Sequence, residues 1–349
     1  NHTLVTEEQE IGHRQRVFRV VGEAVNADVR AAFLGTIDLV EALEQPAVEE
    51  WNAFDQFQKR IRVSEVVFVA VEVGDAAVGI VVDALAQSGV PQDQVRGVGI
   101  GLAGVIDGDA GIVHYSPFFQ WQDVPLARLV AEQLRLPVYL ENDVNTLTIT
   151  EQLFGLGHDV SSFAVVTVGR GIGMGVVIHH QLYRGHKGGV GELGHITVEP
   201  DGPPCSCGRR GCLEALAADE AVVREAQPVF DASLTFEQVM SAAQNGHEAA
   251  CRALARSGHY LGLGLAVVIN LFCPELIIVS GEGVAAGPCR LDPMFEALRA
   301  NTFNGLLDGV KIEVKPTDDL AWARGAAGLV VGKLFASPLV NGVESPAAP

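Results

Sequence analysis

The chain is short of positive charge. Its 349 residues carry 24 Lys+Arg against 43 Asp+Glu, a net charge of −19. A surface that acidic repels phosphate backbones, which excludes the bulk of the chain as a nucleic-acid platform and confines any DNA contact to a small, locally basic segment. Long apolar runs are lacking too. No stretch approaches ~18 uncharged apolar residues, so no membrane span is expected, and no signal peptide opens the chain. Charged residues make up only 19% and apolar ones 48%, which supports a large core and excludes global disorder. The composition predicts a soluble, cytoplasmic protein of about two domains at ~150 residues each.

Cysteine is scarce and unevenly placed. Of six, Cys251, Cys273 and Cys289 stand singly in apolar surroundings and read as buried packing residues. Cys205, Cys207 and Cys212 share one Gly-rich segment, where clustered thiols in a reducing compartment predict a metal rather than a disulfide. Residues 191–214 read GELGHITVEPDGPPCSCGRRGCLE. His195 and the three thiolates supply one nitrogen and three sulfurs, a closed tetrahedral set for Zn2+, and Gly202, Gly208 and Gly211 with Pro203 and Pro204 allow a tight knuckle over 195–212. Four protein ligands leave no open position, so such a zinc is structural. Three reduced cysteines in a loop would leave that density of Gly and Cys unexplained.

Residues 1–20 differ from the rest. An acidic run from Thr6 is followed by the turn signal Gly12-His13 and by Arg14, Arg16 and Arg19 interleaved with Gln15, Val17, Phe18 and Val20. This predicts a hairpin about a basic turn, and a frayed terminal hairpin accounts for the same pattern. Strands are then expected at 17–25 and 29–34, with no legible period over 44–75. A helix over 76–87 ends at Ser88-Gly89 with Pro91 beyond. A strand at 95–101, a helix at 126–134 and a strand at 137–141 follow. The pattern restarts with strands at 163–168, 175–179 and 182–183, a long helix at 247–271, a strand at 275–279, a helix at 292–300, a strand at 310–315 and a helix at 320–335. Residues 337–349 are a polar tail. Two similar α/β halves, 21–142 and 143–336, with a cleft between them are the expected architecture.

Glu141-Asn142-Asp143 lies where a strand gives way to a helix near 147–154. Open α/β sheets place ligand groups at that end of a strand, where Asp143 can accept a proton from a hydroxyl. Ordinary helix capping by Asn142 or Asp143 explains the same residues. Glu192 and Glu214 flank the knuckle, either as ligand contacts, as plain surface charge or as support for the metal's ligands. If a metal takes one ring nitrogen of His195, only the other can reach a ligand. Gly169, Gly171 and Gly173 in one hairpin, and Gly281 and Gly283 after a strand, can bring backbone N–H groups to a phosphate, or simply satisfy tight turns. Glu282 sets a negative charge in the second of these loops. A further glycine pair, Gly101 and Gly104, closes the strand at 95–101.

Together these motifs resemble the ROK family, which contains bacterial sugar kinases and repressors of sugar operons. The resemblance runs from about Val17 to Phe335 and is most specific over GELGH through CSCGRRGCLE. The triplet at 141–143, the hairpin GRGIGMG and the late run WARGAAGLV add to it. It implies two ribonuclease-H-like (actin/hexokinase-type) halves around a sugar cleft. It also implies sugar contacts from Asn142, Asp143, Glu192, His195 and Glu214, and zinc on His195, Cys205, Cys207 and Cys212.

Three departures from the kinase pattern are on the phosphate side. The kinases' Asp-x-Gly-Gly-Thr loop is matched only by residues 21–28, without its glycine pair or threonine. Arg170 stands at the threonine of a Gly-Thr-Gly loop, and Glu282 interrupts the adenosine-side glycines. On the sugar side, Phe118 stands where sugar-binding members tend to carry Asn. The resemblance therefore favours the repressor branch: a homodimer or dimer of dimers with a sugar or sugar-phosphate effector and operator DNA as partner. Residues 1–20 are similar to the wing of a winged helix-turn-helix, with His13, Arg14 and Arg16 as DNA contacts and the recognition helix upstream of Asn1. The alternative is an ATP- and Mg2+-dependent sugar kinase with Asp143 as catalytic base.

Overall fold

The computed structural model describes residues 33–37, 66–70, 91–230, 234–317 and 320–335. The basic hairpin with His13, Arg14 and Arg16, the strand at 17–25, the stretch 21–28, the helix at 76–87 and the tail at 337–349 lie outside the described residues.

Strands β1 (Phe33–Ile37) and β2 (Val66–Ala70) pair antiparallel. β1 overlaps the strand expected at 29–34 only at Phe33-Leu34, and β2 falls in the stretch where no period was legible. β3 (Val98–Leu102) is followed by an antiparallel meander of β4 (Val105–Asp107), β5 (Ile112–Ser116) and β6 (Trp121–Val124). The meander escaped the sequence reading because its strands are shorter than the window in which alternation becomes legible. Helix α1 (Leu126–Leu134) buries Leu126, Val130 and Leu134 at a spacing of four. β7 (Val138–Asn142) returns parallel to β3 and passes directly into α2 (Asp143–Phe154), which starts at Asp143 rather than near Leu147.

The second half opens with β8 (Phe163–Val168), β9 (Ile172–Ile178) and β10 (Gln181–Leu182). Helices α3 (Leu213–Ala217), α4 (Asp219–Ala226), α5 (Phe236–Gln244) and α6 (Glu248–Phe272) follow, then β11 (Leu276–Ser280), α7 (Pro288–Asn301), β12 (Lys311–Val314) and α8 (Ala321–Phe335). The sheet order is β10-β9-β8-β11-β12. Its first three strands run antiparallel, and β11 lies parallel to β8 and β12. That arrangement is the ribonuclease-H type named above.

β8 and β11 are buried at every residue because both faces of the sheet are covered. On one face Ala164, Val166, Val168, Ile277 and Val279 meet α6 and α7 through Leu261, Leu265, Met294 and Leu298. On the other, Phe163, Val165 and Ile278 meet Leu147 of α2 and Ala321 of α8. The cysteines outside the knuckle need correction. Cys273 is exposed, and Cys251 and Cys289 are half-buried neighbours with their sulfurs 3.0 Å apart rather than isolated core residues. Among the described residues no helix is long and apolar enough to cross a membrane.

Helix α8 is held close to both α2 and β3. A Cβ at Gly325 would run into the Thr146 carbonyl, and one at Gly99 into the Ala326 carbonyl. Only glycine permits these approaches, and α2 is thereby pinned with its first turn beside β7. Gly325→Ala is expected to cost about 1–3 kcal/mol through overpacking. The check is a lower denaturant midpoint at unchanged m-value.

Candidate functional site

Hydrogen bonds tie Glu141, Asn142 and Asp143 into the turn from β7 into α2. Glu141 is fully buried. Its Oε1 accepts from the Asn142 N–H at 3.0 Å and the Asn145 side chain at 2.9 Å. Its Oε2 pairs with Arg184 Nε at 2.5 Å. Asn142 is the N-cap of α2: its Oδ1 accepts from the Asn145 N–H at 3.2 Å, while its Nδ2 donates to the Gly104 carbonyl at 3.1 Å. Capping therefore accounts for Asn142 but not for Asp143, which occupies the first helical position, half-buried, with Oδ1 accepting from the Val144 N–H at 2.9 Å. Sequence reasoning passed over Glu141. Its signal was a carboxylate at the end of an otherwise apolar strand.

The hairpin between β8 and β9 packs against the start of α2 and touches Glu214 and Glu282. Gly173 lies against Val144, where a Cβ would stand 2.6 Å from its methyl carbon. A Cβ on Gly171 would stand 2.9 Å from Glu214 Oε2, and one on Gly169 would stand 2.5 Å from Glu282 Oε2. Glu214 Oε2 accepts from the Ile172 N–H at 3.1 Å, and its Oε1 accepts from the Ser206 hydroxyl at 3.4 Å. Carboxylates thus lie against two of the three hairpin glycines.

Gly281, at φ 95°, donates its N–H to Thr317 Oγ1 at 2.9 Å. Gly283 is packed against the fully buried Arg290, whose Nη1 donates to the Gly283 carbonyl at 3.1 Å and to Asp219 Oδ1 at 2.9 Å. The same guanidinium reaches Ser257 Oγ at 3.0 Å and the Ala217 carbonyl, and lies 5.4 Å from the Phe236 ring centroid. Asp219 in turn donates its N–H to the Gly169 carbonyl at 2.9 Å, so one buried ion pair braces both glycine loops. Burial raises the Asp219 pKa, and Arg290 opposes that rise. Neither residue stood out in the sequence, since a single Arg in a helix carries no signal of its own.

The knuckle follows from its turns. Gly208 and Gly211 take φ of 85° and 66°, and a Cβ on Gly211 would strike the Glu199 carbonyl. Bridges Thr197↔Cys212 and Pro204↔Arg210 close the loop. The donor atoms of His195, Cys205, Cys207 and Cys212 all lie within 4.8 Å of one another. His195 Nδ1 is 3.6 Å from Cys205 Sγ, and Cys207 Sγ is 3.7 Å from Cys212 Sγ. A tetrahedral ion with metal–sulfur bonds of ~2.3 Å and a metal–nitrogen bond of ~2.0 Å requires separations of about 3.5 and 3.8 Å, so the donor set fits one.

The thiols cannot share charge freely. Burial pushes Cys207 up, but the Arg209 amide and guanidinium and the neighbouring thiols outweigh it and bring Cys207 down to about 6. Burial and the S–H contacts to Cys207 and Cys205 push Cys212 up. A bound cation would relieve that conflict. With Nδ1 turned to the sulfurs, His195 Nε2 faces Glu192 Oε2 at 3.9 Å. Loss of water raises the Glu192 pKa; His195 lowers it and Glu214 raises it further.

Comparison with known proteins gives a consistent picture. The profile of the ROK family matches residues 69–333, a span that starts later than the resemblance read from Val17. A xylose repressor from Caldicellulosiruptor bescii is 32% identical over 257 residues, covering 70% of this chain and 64% of the repressor. The chain thus spans less than two thirds of that repressor's length. A glucokinase from Thermotoga maritima is 35% identical over 248 residues, covering 67% of this chain and 78% of the kinase. The ROK hexokinase structure from Thermus thermophilus superposes with a TM-score of 0.65 at 30% identity, covering 78% of this chain and 91% of the hexokinase.

The brace behind the glycine loops has a measurable consequence. Arg290→Met removes one partner of a buried pair and leaves Asp219 uncompensated, a loss of about 3–5 kcal/mol. Chemical denaturation measures it, and adding Asp219→Asn should restore part of the stability.

Proposed function

The chain belongs to the ROK family, and from that premise we propose that it is a transcriptional regulator. Its kinase-like halves, 21–142 and 143–336, bind a sugar or sugar phosphate as effector and control a sugar-utilisation operon. Operator DNA is engaged by an N-terminal winged module that includes residues 1–20, and the working form is a homodimer or dimer of dimers. The observation that carries this reading is the chemistry of the glycine loops: Glu282 lies against Gly169 and Glu214 against Gly171, where phosphoryl transfer needs donors and cations around the transferring group. The xylose repressor among its relatives points the same way.

In this reading Asn142, Asp143, Glu192, His195 and Glu214 surround the sugar. Carboxylates accept from its hydroxyls, and the β7–α2 turn fixes where Asp143 stands. Effector binding favours one arrangement of the two halves and so shifts the DNA-binding heads, to the extent that its affinity differs between arrangements. A structural zinc on His195, Cys205, Cys207 and Cys212 would compensate the thiolates and fix the His195 tautomer. That leaves Nε2 for Glu192 and the sugar.

The glucokinase relative supports a second reading, an ATP- and Mg2+-dependent sugar kinase in which Asp143 takes the proton of the attacking hydroxyl. A coupled ADP-release assay with ATP, Mg2+ and a panel of D-xylose, D-glucose and N-acetylglucosamine separates the two. The regulator gives no turnover and saturable binding of one sugar, weakened about tenfold or more in Asp143→Asn by loss of a charged hydrogen bond. Turnover that disappears in Asp143→Asn would establish the kinase instead.

Zinc has its own test. Cys207→Ser should lower metal content measured by mass spectrometry, sugar affinity, and the melting temperature by roughly 4–8 °C, all together. Unchanged affinity and melting would exclude a structural metal here.

A further inference from the structure

Two of the departures that the sequence shows from the sugar-kinase pattern, Phe118 and Arg170, meet each other. Phe118 sits in the turn between β5 and β6, and Arg170 at the tip of the hairpin between β8 and β9. They belong to different sheets, yet the Arg170 guanidinium lies 5.0 Å from the Phe118 ring centroid, within the range of a cation–π contact. Phe118 is 58% exposed, so burial in a core does not explain its place. On either side of Arg170 in the chain, the glycines face carboxylates: Glu282 lies against Gly169 and Glu214 against Gly171. Carboxylates thus lie against the backbone on both sides of Arg170, while its guanidinium lies against an aromatic face. A phosphate brought to the hairpin glycines would meet these two carboxylates at close range.

We propose that Phe118 and Arg170 form a clasp between the two halves that holds the cleft in its closed arrangement and selects an uncharged sugar over its phosphorylated form. This rests on the sugar-binding reading above and narrows it, since that reading admits either effector. The clasp joins one residue from each half, so closure makes the contact and opening breaks it. Its contribution to sugar affinity is the share of closure it supplies. Selectivity comes from the setting: the ring engages Arg170, and the carboxylates against Gly169 and Gly171 oppose a phosphate brought to the hairpin.

A double-mutant cycle with Phe118→Leu, Arg170→Gln and the pair tests this in two independent ways. In thermal unfolding of the unliganded protein, the double variant should melt no lower than the more affected single variant. In calorimetric titrations with D-xylose, D-glucose and glucose 6-phosphate, each single variant should bind the unphosphorylated sugar about two- to fivefold more weakly, and the double variant no more weakly than either. Glucose 6-phosphate should bind the parent protein more weakly than glucose does. It should gain on glucose in Phe118→Leu, where the ring contact to the Arg170 cation is lost, and not in the double variant. Additive losses in both measurements would overturn the clasp. Tighter binding of glucose 6-phosphate than of glucose, lost in Arg170→Gln, would make Arg170 a phosphate receptor and overturn the selectivity. Non-additive melting with no sugar bound would overturn the sugar reading, and the selectivity with it, while leaving the contact itself established.

Discussion

Everything at the candidate site depends on how Glu141 is compensated. A carboxylate with no solvent access is stable only if each oxygen is satisfied, and here the partners come from different parts of the chain. The Asn142 amide and the Asn145 side chain hold one oxygen, and Arg184, beyond β10, holds the other. The pair joins the end of β7 to the second half across 43 residues of sequence. It sets the geometry of the turn in which Asn142 caps α2 and Asp143 begins it. If Glu141 moved, the cap would lose its register and Asp143 its direction.

A second buried pair does the corresponding work for the glycine loops. Arg290 reaches Asp219, the Gly283 carbonyl and the Ala217 carbonyl from one planar fork, a reach that a lysine ammonium cannot match. Because Asp219 also donates its amide to Gly169, loops distant in sequence share one support. Around them the side chains are acidic: Glu214 and Glu282 face the glycines. This is a surface suited to hydroxyl groups, which carboxylates bind well, and poorly suited to a triphosphate, which they repel.

Much of the fold could be read from the chain. The helix at 126–134 and the strand at 163–168 were placed to the residue, because a four-residue apolar repeat and an unbroken apolar run leave little choice of element. The knuckle was legible for a different reason: metal ligands are few in type and close in sequence, so Cys205, Cys207 and Cys212 announce themselves. The strands of the meander, the short helices α3 to α5 and strand β2 were not legible. They are short, and what fixes them is pairing or packing with segments elsewhere in the chain rather than their own periodicity.

The sequence by itself determined the α/β class, the family, the knuckle's donors and the residues that depart from the kinase pattern, since each of these is written in residue type and local spacing. Only the tertiary structure decided what Glu141 and Arg290 do, that Asn142 caps the helix that Asp143 begins, and that Phe118 and Arg170 touch. Those facts are properties of pairs separated by tens of residues, and the energy of a buried charge or a stacked cation depends on what lies within a few ångströms of it, which no local pattern records.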